Sequence, residues 1–154
     1  MPRLLRVSDL RGGVTLTMAE ILEPLRPEAD GVVWSILDLG EVVPGDQGGS
    51  EIASLQERVY ASPTGLQVSF AELCTFAASV RQVVDGLFVG CADPAVLPRR
   101  HDTDPVIAER ADCLVAAVDS SFWLVGGPDA VAERVDGRFR LVTEHDPATF
   151  PLRS

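Results

Sequence analysis

Six short apolar runs, rich in β-branched and large residues, most limit what this chain can become. They are Leu4 to Val7, Val32 to Leu39, Leu87 to Cys91, Cys113 to Val118, Phe122 to Val125 and Leu141 to Glu144. Each has the length of a strand. Asp119-Ser120-Ser121, between the fourth and fifth runs, reads as the turn of an antiparallel hairpin. Helix signals are interleaved with these runs. In Leu16-Thr17-Met18-Ala19-Glu20-Ile21, Thr17 can cap the amide of Glu20 while Glu20 reaches back to the Thr17 amide, and Leu16 can pack on Ile21. Pro24 should keep that helix short.

Val68-Ser69-Phe70-Ala71-Glu72-Leu73 repeats the arrangement, and Leu73, Phe76, Ala77, Val80 and Val84 then recur on one helical face. This spacing predicts a helix that ends near Asp85-Gly86. A third helix is expected from Ser50, with Ile52, Leu55 and Val59 inward and Glu51, Glu57 and Arg58 outward. Two shorter helices, Pro105 to Asp112 and Pro128 to Val135, each open on a proline suited to a first helical turn. Pro44 to Gly49 and Ala92 to Asp104 read as exposed loops. The expected fold is therefore α+β, of α/β type. A mixed or largely antiparallel sheet carries packed helices in a single domain spanning all 154 residues.

The composition, 46% hydrophobic and 23% charged, is that of a globular protein. A chain of this length buries about 70% of the surface its unfolded form exposes. No apolar run approaches the roughly 20 residues of a membrane span, and the start lacks the long apolar stretch of a secretory signal. A cytoplasmic location is the expectation. Cys74, Cys91 and Cys113 are odd in number and widely spaced, which fits buried free thiols better than a disulfide framework or zinc knuckles. The chain has no lysine and no asparagine, and both have codons beginning AA, which points to a GC-rich bacterial gene.

Catalytic signatures are sparse. His101-Asp102-Thr103-Asp104 groups an imidazole with two carboxylates, and His145-Asp146 offers a second pair that folding could bring near. A small metal-dependent hydrolase using His101, Asp102 and Asp104 is one reading, but a third spaced ligand is missing, and Asp104-Pro105 also fits a helix start. Ser120 and Ser121 suit turn chemistry, and no nucleophile elbow is present. The glycine pairs fit no phosphate or dinucleotide fingerprint, so no cofactor and no metal is expected. Arg99-Arg100 is the only adjacent basic pair, which gives nucleic acid no cationic track.

Charge is the remaining signal. Glu20, Glu23, Glu28, Asp30, Asp38, Glu41, Asp46, Glu51 and Glu57 face a single cation, Arg26, so this quarter of the chain holds −8 of the net −10. Such a field favours a protein partner with a basic surface and disfavours a phosphate backbone. Asp38, Glu41, Asp46 and Glu51 run from a strand end through a loop to a helix start and form the expected partner-binding residues. Trp34 is an expected aromatic anchor beside them, with Trp123 a second; both also suit a core strand.

The chain resembles the immunity proteins encoded beside bacterial polymorphic toxins. The likeness lies in Trp34 to Leu39 in an early strand, Ser69 to Val84 as a helix running into Asp85-Gly86-Leu87-Phe88-Val89, and Val118 to Trp123 in a late hairpin. It covers roughly two thirds of the chain, at the level of layout. The resemblance implies a small cytoplasmic, non-enzymatic binder that blocks a cognate toxin, and it transfers no functional residue by position. A structural homodimer that pairs exposed strand edges is the third reading.

Overall fold

The computed structural model describes residues 2–45 and 49–153. The strands are β1 (Arg3–Val7), β2 (Leu10–Arg11), β3 (Val14–Thr15), β4 (Val33–Leu39), β5 (Val42–Pro44), β6 (Leu66–Val68), β7 (Val80–Val83), β8 (Gly86–Cys91), β9 (Cys113–Val118), β10 (Phe122–Gly127) and β11 (Val142–Glu144). The helices are α1 (Met18–Leu22), α2 (Gly49–Tyr60), α3 (Phe70–Ser79), α4 (Asp104–Arg110) and α5 (Asp129–Arg138). Seven strands form one sheet in the order β11-β1-β10-β9-β8-β4-β6, and every neighbouring pair is antiparallel.

All six apolar runs are strands of this sheet: the inner five find neighbours on both sides, whereas β11 is an edge strand paired with β1 alone and is largely exposed. In β9, Cys113, Val115 and Ala117 join one core cluster, while Leu114, Ala116 and Val118 join another on the opposite face. A strand buried on both faces has no polar side to alternate with, which is why the central runs of β8 and β9 are apolar throughout. The first cluster is closed by residues of α1, α3 and α5, including Ile21, Leu73 and Val135. The second is closed by Ile107 and Ala108 of α4 together with Leu97 and Leu152. The result is a single-domain α+β fold. No helix among the described residues is long and apolar enough to cross a membrane.

Local signals explain the helix starts. Both capping boxes form: Thr17 and Ser69 accept from the amides of Glu20 and Glu72, and each glutamate accepts from the amide of its cap residue. Pro24 stops α1, and the chain continues as a 3-10 turn over Glu23–Leu25. The third helix begins near its expected position and buries Val59, with Ile52 and Leu55 half-buried.

One helix is shorter than its periodicity predicts. α3 ends at Ser79, and residues 80–83 form β7 instead, so Val80 and Val84 are not on its face. The physical reason is a competing partner: Val42, Val43 and Pro44 of β5 pair with Val83, Gln82 and Val80. This short ladder continues the β4–β8 ladder across a kink, where Gly40 N donates to Asp85 O at 3.0 Å and Val84 N to Glu41 O at 2.9 Å. The layout behind the immunity-protein resemblance changes accordingly, since 69–84 is a helix followed by a strand. β5 lies where a loop was expected to begin, and β2, β3 and β6 are too short to give a pattern of their own.

The hairpin turn docks on the same kink. Asp119 and Ser120 have φ of 48° and 54°, and Ser121 N donates to Val118 O at 2.9 Å. Both central residues are left-handed, as the right-handed twist of a hairpin favours. Ser120 N donates to Val84 O at 3.0 Å, and Gln82 Nε2 donates to Ser120 Oγ at 2.9 Å. The ends of β4, β8 and β9 are thereby fixed against one another.

Candidate functional site

The acidic quarter of the chain does not form one open face. Glu23 pairs with Arg138 at 3.3 Å, Glu28 with Arg134, Glu20 with Arg11, Asp30 with Arg26 at 3.9 Å, and Asp38 with Arg153 at 3.9 Å. Three of these cations come from the last fifth of the sequence. The carboxyl of Glu28 is held below its ordinary range by its own backbone amide first and by Arg134 second. Exposed pairs of this kind add little stability, but each removes charge from the field a partner would feel. The expected broad negative surface is corrected to a narrower one. Glu41, Glu51 and Glu57 stay exposed and have no ion pair among the described residues. Asp46 lies outside the described residues.

Trp34 is corrected as a surface anchor. It is fully buried, its indole N–H donates to Ala29 O at 3.1 Å, and its ring packs 5.8 Å from that of Phe70. Trp123 is equally internal and donates to Leu16 O at 2.8 Å. The exposed aromatic beside the acidic residues is Tyr60, in the last turn of α2 and 46% exposed.

Tyr60 belongs to a polar network at the end of β4. Its hydroxyl donates to Asp38 Oδ1 at 2.5 Å and accepts the Leu39 N–H at 3.1 Å. Partial burial, followed by the hydrogen bond to Asp38, raises the Tyr60 pKa above its usual value, so the phenol stays a donor at neutral pH. The guanidinium of Arg100 lies 4.7 Å over the ring. Arg100 also donates to Leu37 O at 2.9 Å and to Val59 O and Ser62 O at 2.7 Å each. A cation at the carboxyl end of α2 meets the helix dipole favourably and ties that helix to β4. Gln56 adds a second tie, donating to Gly40 O at 2.7 Å.

Arg153 completes the network from the other side. It donates through Nε at 3.1 Å and Nη2 at 2.8 Å to Asp104 Oδ1, and to the carbonyls of Arg100 at 2.7 Å and Asp102 at 3.2 Å. Asp38, Gly40, Asp85, Gly86, Ala117 and Arg153 line a cleft of about 230 Å³ at the kink. Glu41 sits at the kink, directly after Gly40. Glu51 is elsewhere: it lines a groove of about 400 Å³ between α2 and α3, with Ile52, Leu55 and Phe76 as its apolar side. Asp38 thus lines the cleft, Glu41 follows it along the chain at the kink, and Glu51 has a different neighbourhood.

His101, Asp102 and Asp104 form no metal-holding group among the described residues. Asp104 is engaged by Arg153 and by the Leu152 N–H at 2.9 Å, and Asp102 Oδ2 accepts the Arg99 N–H at 2.9 Å. No group of three or more His, Cys, Asp or Glu side chains among the described residues is placed to hold a metal ion. His101 is exposed, whereas His145 is 9% exposed, with Nε2 3.0 Å from Phe150 O and its ring 5.7 Å from that of Phe150. Burial pushes the Cys91 thiol up to about 11 and the Cys113 thiol up to about 12, so both stay protonated and unreactive at neutral pH.

Burial also lowers the pKa of His145, with Arg6 acting in the same direction. The folded chain therefore binds fewer protons than the unfolded chain below the ordinary imidazole pKa near 6.5. Stability should fall as the pH drops through 6.5 towards the folded-state value. Urea midpoints at pH 7.5 and 5.5 should show this loss in the wild type, and His145→Gln should flatten it. An equal loss in both forms would contradict the assignment to His145.

Tyr60, Arg100 and Arg153 are the site residues that sequence reasoning missed. Arg99-Arg100 stood out only as a basic pair, and nothing local indicates that Arg100 spans three carbonyls. No protein-family model matches this sequence, and no curated protein or solved structure resembles it at a significant level.

Proposed function

We propose that the chain is a non-enzymatic binding module for a basic protein, most specifically an immunity-type inhibitor of a cognate toxin. The binding surface is the end of β4 and the last turn of α2: Tyr60 as anchor, with Asp38, Glu41 and Glu57 around it. One observation carries the reading. Tyr60 is a half-exposed aromatic held rigid between the Asp38 carboxylate and the Arg100 guanidinium, beside carboxylates without internal cations. Tyrosine is among the residue types enriched at the energetic centres of interfaces, and one that is pre-ordered loses little conformational freedom when it is covered. Glu57 lies one helical turn before Tyr60 and so shares its side of α2. The inhibitor role itself rests on the resemblance to immunity proteins.

In this mechanism, Glu41 and Glu57 steer the encounter and burial of Tyr60 holds the complex, with no bond made or broken. The test uses tagged wild-type chain and a Glu41→Arg/Glu57→Arg variant to retrieve partners from cells of the source organism. The wild type should retain a basic protein, and the variant should lose it while unfolding at the same temperature. Equal retention by both forms would contradict the proposed surface.

A further inference from the structure

The sheet ends in an open edge. β11 pairs with β1 on one side, and among the described residues no strand lies on its other side. Ser8 N donates to Leu141 O and His145 N to Leu4 O, each at 2.9 Å. Alternate residues of an antiparallel ladder turn their backbone groups to opposite sides, so 141, 143 and 145 serve β1, while the N–H and C=O of Val142 and Glu144 point outward. The strand is held in place at its entry, where the Asp9 carboxylate accepts from the amides of Arg140 and Leu141 at 2.9 and 2.7 Å. Outward groups of this kind are a template for another strand, and natural edges are commonly blocked by a proline, a bulge or a lysine. Leu141-Val142-Thr143-Glu144 carries none of these, and Leu141 is 59% exposed.

The charges flanking the edge select what can pair with it. Arg140 is exposed and has no ion-pair partner among the described residues, and Glu144 is held only through Oε1, by Arg3 at 2.7 Å. A second copy running antiparallel about Val142 sets Arg140 beside the other copy's Glu144, and by symmetry does so twice. Sliding the register by two residues loses both pairs, and sliding it by four sets Glu144 against Glu144 or Arg140 against Arg140. The strand is therefore complementary to itself in one antiparallel register. We propose that β11 pairs with β11 of a second copy about a two-fold axis at Val142, joining the two sheets into one. The outward groups of Val142 and Glu144 supply the ladder, and the Arg140–Glu144 pairs fix its register. β11 lies at one end of the strand order and β4 near the other, so the dimer leaves both Tyr60 surfaces open. The pairing is independent of the acidic-face reading, and failure of either test leaves the other standing.

Sedimentation equilibrium of the full chain tests it, at about 0.15 M salt, where repulsion between the two acidic chains is screened beyond roughly 8 Å. The wild-type mass should climb from 16.5 kDa towards twice that value as the concentration rises from micromolar to millimolar. Arg140→Glu and Glu144→Arg should each weaken self-association about tenfold, since each sets like charges opposite one another. Arg140→Glu combined with Glu144→Arg should restore it, and an equimolar mixture of the two single variants should associate as wild type does. Arg99→Glu makes the same change in net charge at an exposed position outside β11 and should match wild type. A wild type that stays monomeric, single variants that associate undiminished, a loss that the exchange leaves in place, or a loss that Arg99→Glu reproduces would each overturn the proposal. Hydrogen exchange of the wild-type chain needs no substitution: the amides of Val142 and Glu144 should slow as the dimer forms. A dimer in which both exchange at the monomer rate would overturn pairing through this edge.

Discussion

Replacing Trp34 with alanine should cost about 3–5 kcal/mol, a large share of the 5–15 kcal/mol that stabilises a typical domain. Trp34 is among the largest fully buried side chains of the protein. It faces Gly90 across the β4–β8 ladder, where a β-carbon on residue 90 would lie 3.1 Å from the indole. The residue opposite is therefore small because the tryptophan is large, and few side chains can move in to fill the space it would leave. Truncation also removes the donor to Ala29 O. Urea unfolding should show the loss in full for Trp34→Ala and in part for Trp34→Phe, which keeps most of the volume. A loss under 0.5 kcal/mol, the usual range for surface substitutions, would mean that Trp34 is not part of the core.

Arg100→Ala should destabilise the fold by about 3 kcal/mol, an effect carried by polar groups rather than volume. The guanidinium satisfies three carbonyls drawn from β4, the end of α2 and the turn after it. Hydrogen bonds from charged donors are worth about 1.5–3 kcal/mol each, and water can replace part of what is lost at this half-buried position. Arg100→Lys should recover only a minor part, because one ammonium cannot reach three acceptors in different directions. The two variants together separate geometry from charge: if Lys restores full stability, the charge alone matters and the fork does not. Amide exchange should also quicken in the last turn of α2, since Arg100 ties that turn to β4.

The elements that sequence made legible are those whose causes are local. Thr17 with Glu20 and Ser69 with Glu72 close their capping boxes within four residues, and the central apolar runs, Leu87 to Cys91 and Cys113 to Val118, are long enough to show burial on both faces. Val80 to Val83 shows where local reasoning stops. Val80 satisfies both a helical period and a strand, and Val42 to Pro44, nearly 40 positions earlier, decide between them. The site was harder for the same reason. Glu23 and Glu28 look unpaired beside their sequence neighbours, but Arg138 and Arg134 meet them from separations of 115 and 106 residues. Asp38 and Glu41 were visible as charge. Tyr60 was missed because a lone tyrosine at a helix end carries no pattern until its hydroxyl is seen on Asp38.

The most direct measurement is the affinity of the retrieved basic partner for wild type, Tyr60→Ala and Glu41→Arg/Glu57→Arg across a range of salt concentrations. Tyr60→Ala should weaken binding by about 30-fold with an unchanged salt slope, since it removes an anchor and no charge. The double reversal should weaken binding most at low salt and flatten the slope, because screening acts on what those carboxylates contribute. Affinities and slopes that match wild type in both variants would contradict the claim that this partner is held at the end of β4 and the last turn of α2.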